Sequence, residues 1–263
     1  MANFGRVIEV TVDTLFFSSE FYTIEGTVPF DNDPVPNESE IKIWNLSYET
    51  IGYFNKGAIV TVTAGYKGDT GLLLKGFISK VETKSDGVDR VTTIHVMDSD
   101  DFAKREVRDI AYQNGVLASY ILRQMAAQLG LPIAQFELNQ DYKYEEGYTA
   151  SGEVTKIISD VAADCGTSAY VNKGQLYIRN LRIGADDVFL LSPDTGLIGS
   201  PEPFTEDDFT GYHLESQLQY RITTASVIDV KSKYFEGRVH ARSGSHSFSG
   251  SGDFKTTVEA ILP

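Results

Sequence analysis

Residues 61–82, TVTAGYKGDTGLLLKGFISKVE, read as two β-patterned runs on either side of a glycine-punctuated centre. A period of two sends alternate side chains to opposite faces of a strand, and glycine supplies the left-handed backbone that a tight turn demands. The segment predicts a β-hairpin, with Gly65, Gly68, Gly71 and Gly76 as its turn glycines. Nothing in it can attack, protonate or coordinate a substrate. Its glycines lack the order of a phosphate-binding loop and do not lead into a helix, so no phosphate cradle is expected.

The composition calls for more strands of this kind. Of 263 residues, 41% are hydrophobic, and 14 Tyr and 15 Phe stand beside only 3 Met and 1 Trp. Large flat rings pack well on pleated faces, which points to a β-rich chain of two or three small domains. The excess of 37 acidic over 23 basic residues, a net charge of −14, argues against a surface that grips duplex nucleic acid. Cys165 is the single cysteine, which excludes an intrachain disulfide framework and a cysteine-based zinc cluster. The N-terminal MANFGRVIEVTVD has no basic segment followed by an apolar core, and no apolar run is long enough to span a membrane. A soluble product of the cytoplasm is the expectation.

Along the chain, residues 6–30 read as two β runs joined by a turn around Ser18 and Ser19. DNDPVPNESE follows and predicts a projecting loop, because proline cannot donate to an interior ladder. IKIWNLS resumes strand character, YETIGYFNKG reads as a short helix or turn, and AIVTVTAGY enters the hairpin. GFISKVETK and RVTTIHVMD form a second strand pair around Asp86-Gly87. After Asp101 the period changes. Leu117, Ile121, Met125 and Leu129 predict one helix, stopped by Gly130 and Pro132. Val154, Ile157, Ile158, Val161, Ala162 and Cys165 predict a second, with Ser151 as its cap. The hairpin SAYVNKGQLYIRN closes this middle unit. From Val188 a long polar opening, residues 192–213, precedes strands in 216–234, 237–243 and 253–262, with GSHSFSGSG (244–252) as a flexible loop. No fixed-period repeat is present, so solenoids and propellers fall away.

Candidate chemistry is sparse. Met97-Asp98-Ser99-Asp100-Asp101 lacks the central glycine and closing glutamate of a calcium loop and reads as a solvated boundary. Glu206-Asp207-Asp208 reads as hydrated acids in a loop. His95, His213, His240 and His246 make no H-E-x-x-H pair. A triad of His240 or His246 with Ser245 or Ser247 has no nucleophile-elbow motif behind it. Cys165 sits on an apolar stripe, and Glu145-Glu146 carry no positional information. No catalytic, cofactor-binding or metal-binding residue is assigned, and no cofactor is expected.

The run IKIWNLSYETIGYFNKGAIVTVTAGYKGDTGLLLKGFISKVE with VTTIHVMDSDD resembles the N-terminal part of the phage tail baseplate hub family, and VIDVKSKYFEGRVHARSG resembles a later part of it. The resemblance implies a mainly β chain in which two tube-like β-barrel domains, 1–103 and 183–263, flank a small α/β domain, 104–182. It implies a homotrimeric ring whose six barrels face a six-fold tail tube in the virion of a phage or of a phage-tail-like bacteriocin, made in the host cytoplasm. Expected partners are a tail tube or distal tail protein, a spike or tip protein and the tape measure protein. DNA would pass the acidic lumen without specific binding, without membrane insertion of this chain. Asp31, Asp33, Pro34 and Pro36, with Pro201, Pro203, Asp207 and Asp208, are the candidate assembly-loop residues. Lytic activity would belong to another chain. Two other readings stay open: a carbohydrate-binding or adhesion module using exposed Tyr142, Tyr144 and Tyr148, told apart by glycan binding, and a cell-wall hydrolase centred on His240 and His246.

Overall fold

The computed structural model describes residues 4–99, 105–184, 188–206 and 209–263. The chain begins with β1 (Arg6–Val12), β2 (Leu15–Ser18), β3 (Ile24–Phe30) and β4 (Glu38–Trp44), then a single turn α1 (Tyr48–Ile51), then β5 (Ile59–Tyr66), β6 (Asp69–Asp86) and β7 (Asp89–Met97). Strict alternation puts Ile8, Val10 and Val12 of β1 inside and their neighbours out. Ser47 caps α1 by accepting from the Thr50 N–H at 3.0 Å. The expected two runs in 6–30 are three strands, because Asp13 takes a left-handed conformation (φ 49°) that short polar side chains tolerate and folds β2 back on β1. The two expected hairpins share one strand: β6 pairs with β5 up to Phe77 and with β7 from there on.

The middle unit comprises β8 (Glu106–Tyr112), β9 (Val116–Leu117), α2 (Ala118–Leu129), β10 (Ile133–Phe136), β11 (Lys143–Tyr144), β12 (Tyr148–Glu153), α3 (Val154–Asp164), β13 (Ser168–Asn172) and β14 (Gln175–Arg179). α3 buries the stripe its periodicity announces, and α2 buries Ile121, Met125 and Leu129 but not Leu117, which precedes the helix in β9 and is 42% exposed; Gly130 ends α2 in the left-handed conformation (φ 67°). Ser151 is not the cap of α3. It lies in β12, and the first N–H of the helix, that of Val154, donates to the Arg105 carbonyl at 2.9 Å. A backbone partner thus does the work expected of the hydroxyl.

The last part contains β15 (Val188–Leu191), β16 (Leu197–Glu206), β17 (Phe209–Gln217), β18 (Val227–Lys231), β19 (Glu236–Ser249) and β20 (Phe254–Ile261). Two expectations are corrected here. Residues 199–206 are strand rather than loop: β16 occupies the edge of its sheet, where proline's missing N–H costs no ladder bond, and a bulge between Ile198 and Glu202 takes up the irregularity. Residues 244–249 are also strand, since β19 runs on through the Gly/Ser stretch and pairs with β3 on one side and β20 on the other. Conversely, 218–226 within the expected strand 216–234 is turn-rich chain.

That pairing joins the first and last parts of the chain into one 13-stranded sheet ordered β16-β17-β20-β19-β3-β4-β7-β6-β5-β1-β2, with β18 and β15 branching from β19. Among the described residues no ladder closes the two ends, so the protein is mostly β with a few helices and no closed barrel is formed. Apolar side chains gather into three main cores. One lies within residues 8–96 but also takes Leu218, Phe248 and Phe254; one belongs to the helices and the small sheet; one lies within residues 189–262 and takes Phe30.

A Cβ on Gly76 would sit 2.1 Å from the Met97 carbonyl oxygen, whereas one on Gly68 (φ 86°) would meet nothing. Gly76→Ala must therefore push β6 from β7 and is expected to cost about 3 kcal/mol. Gly68→Ala carries only left-handed strain, about 1 kcal/mol. Urea unfolding reads both, and equal losses would show that strand contact is not what Gly76 protects.

Candidate assembly surfaces

The groups that chemistry would need are buried or separated. His246 is enclosed, its Nδ1 2.9 Å from Thr256 Oγ1 and its ring 5.2 Å from that of Phe30. Burial and then the Lys173 charge bring its pKa down to about 3. His240 is also buried and its pKa is lowered by burial first, then by Arg238, Arg179 and Arg182. Ser245 and Ser247 adjoin His246 on one strand and so point to the opposite face. They do not form a triad with it. The Cys165 thiol is buried and its pKa is raised by that burial. Among the described residues no group of three or more His, Cys, Asp and Glu is placed to hold a metal.

Asp98 departs from its expected solvated role. It is buried, and its Oδ1 accepts from the Asn37 N–H at 3.1 Å and the Ser99 hydroxyl at 3.3 Å. Asp100 and Asp101 lie outside the described residues. The segment 31–37 does not project as expected, because it clasps three parts of the chain. The Asp31 carbonyl accepts from Thr224 Oγ1 at 2.7 Å, the Asp33 carbonyl from the Val171 N–H at 3.3 Å, and the Asn37 carbonyl from the Asp98 N–H at 3.1 Å. Asp33 Oδ1 turns the chain by accepting from the Val35 N–H at 2.8 Å. Pro34 and Pro36 are consequently buried, and only Asp33 and Val35 are exposed. Of the second set, Pro201 is buried in β16 and Pro203 is exposed at the sheet edge. Asp207 and Asp208 lie outside the described residues.

Of the four hairpin glycines, only Gly68 lies in the turn; the others are strand positions. Gly71 is bare because the Tyr220 ring covers it, a Cβ there coming within 2.0 Å of the ring. Tyr220 and Arg221 then bind Asp69 at the same hairpin, at 3.0 Å and 2.6 Å. Tyr142, Tyr144 and Tyr148 do not form an open platform. They continue a ladder of rings whose centroids lie 4.9 and 4.8 Å apart, and the Tyr144 hydroxyl donates to Asp164 at 2.6 Å. Tyr144 and Tyr148 are half-buried against the helices.

What the sequence reading missed is a set of exposed apolar side chains at the free edges of the sheet. At the β2 edge Phe16 is 58% and Phe21 81% exposed, while Phe17 between them is 3% exposed. Val188 and Leu190 face solvent from β15, the edge of the side branch, and Ile198 from β16, the edge at the other end of the main path. The alternation Phe16-Phe17 was the only signal for the β2 edge, and Val188-Leu190 for β15. Among the described residues β2, β15 and β16 each lack an outer partner strand.

The baseplate hub gp41 family profile matches residues 39–235. The chain belongs to the baseplate hub gp41 family. No curated protein sequence matches it. Solved structures with a similar fold include the 43 kDa tail protein of prophage MuSo2 from Shewanella oneidensis, at 8% identity and TM-score 0.70, covering 98% of this chain and 97% of that one. The tail protein from Neisseria meningitidis MC58 matches at 9% identity and TM-score 0.70, with coverage of 98% and 97%. E. coli c3393, a component of the type VI secretion system with structural similarity to the T4 bacteriophage tail proteins gp27 and gp5, matches at 11% identity and TM-score 0.63, covering 97% and 76%. This baseplate hub family member is a structural component of a phage-type tail.

The hub's buried acids and histidine oppose each other in pH dependence. Burial raises Asp98 to about 7 and, with the neighbouring Asp33 charge, raises Asp31 to about 6, both from 3.8. From about pH 4 to 7 the folded chain holds protons that the unfolded chain has released, so this contribution to stability falls as pH rises. His246, lowered from 6.5 to about 3, does the reverse: its contribution falls as pH drops through that interval. Asp98→Asn removes one acid and leaves the histidine. The slope of unfolding free energy against pH between about 4 and 6 should then be more positive than in the wild type, by the one proton that Asp98 no longer retains. An unchanged slope in denaturant titrations would show that Asp98 is not held protonated.

Proposed function

We propose that three copies of this hub form a ring that joins a tail tube to a spike or tip. In this reading the strand sets β1–β7 and β15–β20 are two tube-like units that complete barrel-like walls only in the ring. The small α/β unit stands between them, so that residues 1–103, 104–182 and 183–263 act as three domains. Six tube-like units then match a six-fold tube. The observation that carries the proposal is the open sheet whose free edges bear unlike exposed apolar side chains, Phe16 and Phe21 at the β2 edge, Ile198 on β16, and Val188 and Leu190 on β15. Unlike edges favour a head-to-tail contact, and head-to-tail contacts close into rings when the rotation allows it. Covering these edges also removes the hazard of unpaired strands.

The tail tube or a distal tail protein docks on one side of this ring and the spike or tip protein on the other, with the tape measure protein and then DNA passing the lumen. An acidic wall lets a like-charged duplex slide. The role is mechanical, with no catalytic step assigned to this chain. The particle is a phage or a tail-like bacteriocin, assembled from a chain made in the host cytoplasm. Asp31, Asp33, Pro34 and Pro36 serve assembly from within, by ordering the clasp, and Pro203 with the β16–β17 hairpin serves it from the edge.

Native mass measurement and electron microscopy of the purified chain, and of particles containing it, should show a threefold ring with a central hole. Phe16→Asp with Phe21→Ser alters only exposed side chains, so the variant should fold but yield few rings and few complete particles. A compact single copy inside mature particles, or normal particle yield from that variant, would overturn the proposal.

A further inference from the structure

The tyrosine ladder has an open end away from the residues that first drew attention to it. Tyr148 meets Tyr112 at 6.4 Å, and Tyr112 meets Tyr120 edge-on at 6.1 Å. Tyr120 is 54% exposed. Tyr112 and Tyr120 border a cleft of about 570 Å³ on the α/β unit, a size within the range of roughly 300–1,000 Å³ usual for small-ligand sites. One wall comes from α2, where Tyr120, Gln124 and Gln128 follow at intervals of four residues, on a different face from the buried Ile121, Met125 and Leu129. The other comes from the end of β8 and the turn after it, with Tyr112, Gln113 and Asn114.

The chemistry of this lining is selective. Charged residues make up 23% of the chain, yet among the described residues none lines this cleft, Lys143 only passing beside Gly115 at its border. Its polar side chains are the hydroxyls of Tyr112 and Tyr120 and four carboxamides, the latter all on exposed residues and without a side-chain partner among the described residues. A carboxamide offers a donor pair and an acceptor together, which matches adjacent hydroxyls, and a tyrosine face matches the apolar face of a pyranose ring. A rise of about 1.5 Å per residue spaces Tyr120, Gln124 and Gln128 by about 6 Å, close to the length of one hexose unit.

We propose that the cleft of Tyr112, Tyr120, Gln113, Asn114, Gln124 and Gln128 binds a neutral glycan chain. Tyr120 stacks on a sugar ring while the amides of Gln124 and Gln128 read hydroxyls of successive units. The inference stands apart from the ring, since it concerns a surface on the small α/β unit and uses none of the free edges of the large sheet.

The test uses the full chain on an array of neutral oligosaccharides, followed by calorimetric titration with cellotetraose and chitotetraose. Binding should be present, unaffected by moderate salt, weakened about tenfold or more by Tyr120→Ala and retained by Tyr120→Phe, which keeps the ring. Gln124→Ala should weaken it independently. Absence of binding to every oligosaccharide overturns the inference, as does equal binding by wild type, Tyr120→Ala and Gln124→Ala. If Tyr120→Ala lowers particle yield while no oligosaccharide binds, the cleft seats a protein instead, and the glycan inference fails while the hub reading survives.

Discussion

Two reciprocal phenylalanine–glycine pairs fix the line where the first and last parts of the chain become one sheet. On the β3–β19 ladder Phe30 stands opposite Gly244, and Phe248 opposite Gly26. A Cβ on Gly244 would lie 2.6 Å from the Phe30 ring, and one on Gly26 2.6 Å from the Phe248 ring, so each glycine leaves the space that the opposing ring occupies. The rings are exchanged between cores: Phe30, from the early strand, belongs to the late core, and Phe248, from the late strand, belongs to the early one. Each buried ring stabilises by about 1.5–3 kcal/mol, and neither can be satisfied if the two parts separate. The β19 ladder is therefore a packing junction as well as a run of backbone bonds.

The α/β unit is tied to the rest of the chain by a buried apolar cluster, in which Tyr170 and Tyr177 meet Ala225, Ile261 and Phe209, and by polar contacts. Val171 on β13 bonds the 31–37 clasp, Asn172 bonds Thr223 at 3.2 Å, and Lys173 reaches the Leu72 carbonyl at 3.0 Å. Lys173 is largely desolvated there, which lowers its pKa. Tyr220 and Arg221 add a tie from the late part of the chain to the early hairpin through Asp69. Each such bond contributes only about 1 kcal/mol net, but together they restrain all three parts around the residues 31–37. For a structural component this matters, because neighbours can recognise a surface only if its parts keep a fixed relation.

What was legible in the sequence follows from how local each signal is. The stripe of α3, that of α2 from Ile121 on, the Gly130 stop and the β13–β14 hairpin of the small sheet are set by neighbours a few residues away, and they are where periodicity places them. Ser151 failed as a cap because the helix terminus found the Arg105 carbonyl, 49 residues back, which no window reveals. Gly244 to Ser249 looked like a linker because small residues signal flexibility when alone and close approach when a ring lies opposite, and the ring is more than two hundred residues away in sequence. Pro34 and Pro36 looked exposed for a related reason: proline excludes an interior strand but does not exclude burial under another segment. Asp98 was read by charge, whereas its burial depends on Asn37 folding over it.

The same distinction explains how the fold is shared at 8–11% identity over nearly the whole chain. An open sheet is specified by alternation, by backbone ladders and by small residues wherever a ring crosses a strand, and each of these can be met by many side chains. In this hub Gly26, Gly71, Gly76, Gly211 and Gly244 are among the positions that admit few substitutes, because a neighbouring ring or carbonyl occupies the space of a side chain. These demanding residues are those that let other residues approach, as expected of a protein whose work is to hold a shape that other proteins fit.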